Sequence, residues 1–171
     1  FYSLGDGCVM VSQIKVDSIL ESTSGAGVSI AGHVLQVVTA TESTGATVTA
    51  QSFQDTGLSA SITPSATSSK ILVIVSQNIR AHRDNYSDIT AVVQLLRDST
   101  AIMHRDVMIR GSSGQNSVTT DGGMIILDTP STTSSITYKT QLKVSTSDSG
   151  GYAQAGHGDS EEHIILMEIG G

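Results

Sequence analysis

The sequence predicts an all-β protein, a jelly-roll-like β-sandwich preceded by a short extended β arm. Three observations carry this. Ser and Thr make up about a quarter of the 171 residues and Gly is frequent, a composition that suits pleated strands and tight turns and weakens helix interiors. Short runs of Val, Ile and Leu recur every ten residues or so with turn signals between them, as in sandwiches and jelly rolls. No strand pattern alternates with a helix-length periodic segment, so a βαβ architecture is not expected.

Residues 1–33 read as an N-terminal β arm, a shaft or particle-docking segment. Val9 and Val11, Ile14 and Val16, then Ile19-Leu20 give an alternation that breaks at Ser22-Thr23-Ser24-Gly25-Ala26-Gly27 and resumes at Val28 and Ile30. Two such strands are too thin to bury a core alone, so the arm needs partners, which in a fibre are identical chains around a threefold axis. Phe1 opens the chain without an initiator Met, a basic segment or an Ala-x-Ala site, so the expectation is a trimmed start or preceding sequence.

Residues 34–171 read as the sandwich. Val34 to Thr39 is a strand, and Thr47 to Phe53 another. Leu58, Ala60 and Ile62 alternate with Ser59, Ser61 and Thr63, a half-buried strand that Pro64 ends because it cannot donate to a ladder. Ile71 to Val75 is continuously apolar, as expected of a central strand covered on both faces, in a sandwich or at a subunit interface. Ile89 to Leu96 is β-branched enough to favour a strand over a helix, in a hairpin with Ala101 to His104 through Arg97-Asp98-Ser99-Thr100. Met124 to Leu127, Ile136 to Val144 and His163 to Ile169 complete eight to ten strands, with Asp128 to Thr133 as a turn.

Several function classes are disfavoured. A net charge of -7 without a basic stripe argues against nucleic acid. The longest apolar runs, Ile71 to Val75 and Ile164 to Met167, are strand-sized and too short for a membrane span. The single cysteine, Cys8, excludes an internal disulfide framework, so stability beyond the core would come from other chains. No nucleophile elbow or Ser-His-Asp context is found, and the Gly-rich pieces Ser22 to Gly27 and Gly111 to Gly114 lack the Lys of a phosphate loop. No catalytic residue and no cofactor is assigned, and the chain is expected not to be an enzyme. His104, Arg105 and Asp106 carry no assigned chemistry, and Met103, Met108, Met124 and Met167 read as packing.

The candidate recognition segment is Arg80, Ala81, His82, Arg83, Asp84, Asn85, Tyr86, Ser87 and Asp88, a polar stretch between apolar strands. Sugars are bound by an aromatic stacked on the ring with Asp, Asn and Arg fixing hydroxyls, often from loops on a rigid β scaffold. Tyr152, in the Gly-rich stretch Ser147 to Gln154, is a second candidate. An ordinary solvated loop is the competing reading of both. His157, Asp159, Glu161, Glu162 and His163 form the densest polar cluster, but their spacing matches no metal motif. On a strand Glu161 and His163 share a face and Glu162 points away, so a solvated segment is favoured over a metal site.

The string Ile14-Lys15-Val16-Asp17-Ser18-Ile19-Leu20-Glu21-Ser22-Thr23-Ser24-Gly25-Ala26-Gly27-Val28-Ser29-Ile30 resembles a connector segment of phage virion fibre proteins. Val34 to Val38, Thr56 to Pro64, Ser68 to Val73, Leu95 to Thr100 and Met167 to Ile169 resemble head domains of tail-fibre proteins from environmental and cyanobacterial phages. The resemblance implies a homotrimeric, jelly-roll-like head, similar in strand rhythm to complement-like and tumour-necrosis-like trimers. It implies a place on the virion surface with other virion proteins as partners and is silent about the ligand, for which the residue types of the recognition segments suggest a host-surface glycan. It transfers no catalytic residues. A trimeric capsid decoration or head-fibre protein that clamps capsomers is the alternative, and a polysaccharide depolymerase using Asp159 with Glu161 or Glu162 stands third.

Overall fold

The computed structural model describes residues 32–84, 88–109, 117–145, 151–158 and 160–171. Residues 1–31 of the arm lie outside the described residues, as do Asn85, Tyr86 and Asp159. What is described belongs to one unit running from residue 31 to 171. It contains β1 (Val34–Glu42), β2 (Ala46–Val48), β3 (Gln54–Ile62), β4 (Lys70–Ser76), β5 (Asn78–His82) and β6 (Ile89–Arg97). These are followed by β7 (Thr100–Ile109), β8 (Ser117–Asp121), β9 (Met124–Asp128), β10 (Ile136–Val144), β11 (Tyr152–Ala155) and β12 (Glu162–Ile169).

The segments form three antiparallel sheets, ordered β1-β12-β4-β9, β2-β11-β5-β8 and β3-β10-β6-β7. The first two repeat one another strand for strand. β1 runs on into β2, β4 into β5, β8 into β9 and β11 into β12, so they are two halves of one four-stranded sheet creased at a single level. Taken this way the fold has eight strands in two four-stranded sheets, a jelly-roll sandwich, as the sequence predicts.

Glycine makes the crease. Gly45 and Gly156 have φ of 69° and 66°, backbone that L side chains avoid, and they face each other so closely that a Cβ on Gly156 would lie 2.9 Å from the Gly45 Cα. A Cβ on Gly122 would collide with the Ile79 side chain. Across the break the Gly122 N–H donates to the Gln77 carbonyl at 2.7 Å and the Gly156 N–H to the Asn78 carbonyl at 3.1 Å. The crease therefore keeps its backbone paired.

The core lies between the creased sheet and the sheet β3-β10-β6-β7. Strict alternation puts Leu58, Ala60, Ile62, Ile136, Tyr138, Leu142 and Val144 inward from β3 and β10, while Ile71, Val73, Val75, Ile164 and Leu166 answer from β4 and β12. Tyr138 is fully buried apart from its use of the hydroxyl, which donates to Asp128 Oδ2 at 2.7 Å, and Arg97 donates to both oxygens of the same carboxylate at 2.8 and 2.9 Å. Below the crease Gln77 Nε2 donates to Glu162 Oε2 at 2.7 Å and to Thr56 Oγ1 at 3.3 Å, and Thr56 and Thr140 hydroxyls meet at 2.6 Å. This polar bridge ties the two sheets together where the crease interrupts the apolar filling.

The hairpin of β6 and β7 forms as expected, with Asp98 at φ 53° in its turn, although β7 extends through His104, Arg105 and Asp106. Other expectations are corrected. Arg80, Ala81 and His82 lie in strand β5 and not in a loop, and Tyr152 to Gln154 lie in β11. Residues 49–53, expected inside a strand, cross from one sheet to the other, so that strand shortens to Ala46–Val48. β8 has no counterpart in the sequence reading.

Candidate functional site

Because β5 and β11 are neighbours, Tyr152 pairs with His82 and Gln154 with Arg80, while β8 places Ser117 opposite His82 and Thr119 opposite Arg80. Alternation sends Ile79, Ala81, Ala153 and Ala155 into the core and turns Arg80, His82, Tyr152 and Gln154 outward. The outer face of this half-sheet is therefore a continuous polar and aromatic surface. The His82 and Tyr152 rings stack with centroids 4.6 Å apart and planes 28° from parallel, and the Arg80 guanidinium lies 5.7 Å from the Tyr152 centroid.

Partners hold the set in place. Arg80 lies 3.4 Å from His157 Nε2 and from Ser117 Oγ, His157 Nδ1 is 3.2 Å from Gln154 Oε1, and His82 Nε2 is 3.0 Å from Asp84 Oδ1. One guanidinium and two imidazoles thus gather on the surface of a chain whose net charge is negative. Beside them the crease opens a pocket of about 420 Å³, lined by Ser76, Gln77, Asn78, Thr119, Thr120, Asp121, Ser160 and Glu161. Hydroxyls and two carboxylates so placed match the donors and acceptors of a polyhydroxylated ligand.

The structure brings together Arg80, His82, Asp84 and Tyr152, and adds His157 from the polar cluster for which a solvated segment is favoured over a metal site. It separates Arg83 from them. That side chain is 9% exposed and donates to the Asp88 carbonyl at 2.8 Å, which ties down the two described ends of the 83–88 segment. Asn85 and Tyr86 lie outside the described residues. Glu161 and His163 share a face, 3.6 Å apart and exposed, while Glu162 points into the core, as expected for a strand. Burial pushes the Glu162 carboxyl above its ordinary value, against the hydrogen bond from Gln77. Among the described residues no three His, Cys, Asp or Glu side chains gather as a metal set.

Gln154 lies in the candidate stretch Ser147 to Gln154, whereas Ser117 and Asp121 are not singled out by the sequence. The period-two run Asn78, Arg80, His82 is the signal that finds such a face, once a strand is assigned there.

No family model matches the chain, and no curated protein is similar to it. Among solved structures it is similar to that of infectious bursal disease virus, Gx strain, at 16% identity and a TM-score of 0.40, over 81% of this chain and 33% of that one. It is also similar to the VP2 subviral particle of infectious bursal disease virus, at 17% identity and a TM-score of 0.33, over 78% of this chain and 37% of that one. The chain thus spans about a third of the length of these proteins.

Proposed function

We propose that the chain is a non-catalytic virion protein, a homotrimeric fibre subunit of phage type whose jelly-roll head attaches to a host-surface glycan. The observation that carries the reading is the outward face of β5 and β11. There the stacked Tyr152 and His82, the Arg80 guanidinium and Gln154 adjoin a crease pocket rich in hydroxyls and carboxylates. A rigid sheet positions these groups. Affinity per copy is modest in this reading, and three copies per fibre raise it through effective concentration. The resemblance of Ile14 to Ile30 and of the head strands to fibre proteins supports the placement on a virion.

A glycan array probed with the purified chain tests the reading. Binding to a defined set of bacterial-surface glycans is expected, reduced at least tenfold by Tyr152→Ala and by Arg80→Ala with unchanged circular dichroism. A chain that binds none of them, yet whose removal from its particle loosens the capsid, would instead support the decoration reading. Binding untouched by both substitutions overturns the site.

A further inference from the structure

The other half of the creased sheet has the opposite character. Its outward rows run across four strands in register, Val37, Met167, Leu72 and Leu127 in one and Thr39, Ile165, Ile74 and Ile125 in the next. Seven of these eight side chains are apolar. Val37 and Leu127 are each 52% exposed and Ile125 is 67% exposed, with Val34 and Leu35 extending the patch along β1. No carboxylate interrupts these two rows, on a chain with sixteen acidic residues. By contrast the outer face of β3 and β10 carries Ser59, Ser61, Thr137, Lys139 and Gln141, with Asp55 bound to Lys139 and Gln141. Apolar outward residues are thus a property of one half-sheet and not of this fold's surface in general.

We infer that the outer face of β1-β12-β4-β9 is where copies of this chain meet, an inference that rests on the homotrimer proposed above and adds its interface. The area supports a second copy as the occupant. The five most exposed apolar side chains alone present on the order of 400 Å², within the range of the largest patch on a typical monomer, which is often a functional surface. That is about half of what each partner gives to a standard-size interface. Charge agrees, since copies that repel elsewhere through a net charge of -7 meet here on uncharged rows. The most exposed residues lie on the two outer strands, β1 and β9, with the shaded Leu72, Ile74, Ile165 and Met167 between. Packing the β1 flank of one copy against the β9 flank of the next is a heterologous contact, and a threefold rotation closes it into a ring.

Sedimentation equilibrium of the wild-type chain, of Ile125→Lys, of Leu127→Lys and of Ser59→Glu tests this, with circular dichroism confirming that each variant is folded. Three chain masses are expected for wild type and Ser59→Glu, and one chain mass, or at least a hundredfold weaker association, for the two lysine variants. A wild-type trimer that both lysine variants retain overturns this interface and leaves the homotrimer standing. A wild-type dimer that the lysine variants dissociate supports the face and overturns the trimer. A wild-type monomer overturns both and leaves the face to a different protein.

Discussion

Two buried glutamates show how a residue's surroundings decide what its charge does. Burial opposes ionisation of Glu168, but hydrogen bonds from the Ser65 hydroxyl and N–H and from Gln36 Nε2 outweigh it and hold the carboxyl at about 2. Its contribution is present above the ordinary value of 4.5 and is lost as pH falls through about 2. Urea unfolding of Glu168→Gln is therefore expected to show a flatter loss of stability over that acid range than wild type, and parallel curves would contradict it. Glu162 has the opposite sign. Its raised value means that stability is fully present below 4.5 and declines as pH rises through the folded value. Glu162→Gln keeps an acceptor for Gln77 and is expected to melt above wild type at neutral pH, with the difference closing below pH 4.5; a difference independent of pH would contradict this. Tyr138→Phe removes the hydroxyl from a carboxylate already held by Arg97 and is expected to cost about 1.5 to 3 kcal/mol in denaturant unfolding. A cost near zero would sink that assignment. None of these roles is legible in the sequence, because Gln36, Gln77 and Asp128 meet partners far away in the chain, the first two within the creased sheet and Asp128 across the sandwich.

At the scale of elements, legibility followed the size of the inward side chain. Ile71 to Val75, Ile136 to Val144 and His163 to Ile169 send Ile, Val, Leu, Met and Tyr into strands and were readable from that alone. β5 and β11 send Ala81, Ala153 and Ala155 inward, so little apolar signal remains and their outward Arg80, His82, Tyr152 and Gln154 read as loop. The recognition residues were thus found for their chemistry and placed on the wrong element. The crease was hidden for a related reason, since Gly45 and Gly156 are far apart in sequence and meet only in the sheet. Gly156→Ala combines a positive φ with a contact at 2.9 Å, whereas Gly158→Ala has φ 80° and open space. The former is expected to cost at least about 1 kcal/mol more than the latter in denaturant unfolding. Equal costs would mean that the crease does not depend on close glycine packing.

For the whole molecule, the crease divides one sheet into two surfaces of opposite character, one apolar and one polar. Three continuous apolar runs, Ile71 to Val75, Met124 to Leu127 and Ile164 to Met167, fall on three adjacent strands of the same half. A strand apolar on both faces needs two covers, and the sandwich supplies one. The expectation that Ile71 to Val75 is covered twice is met on its inner face by the core and, in the interface proposed here, on its outer face by another copy. In the function proposed above, the polar half beyond the crease stays in solvent and presents its rings and guanidinium to the ligand. Electron cryo-microscopy of the assembled chain tests this division most directly. A threefold particle is expected, with Leu72, Ile125 and Leu127 facing neighbouring copies and Arg80, His82 and Tyr152 facing solvent. A map in which the apolar half faces solvent, or in which Arg80 and Tyr152 are buried between copies, would contradict it.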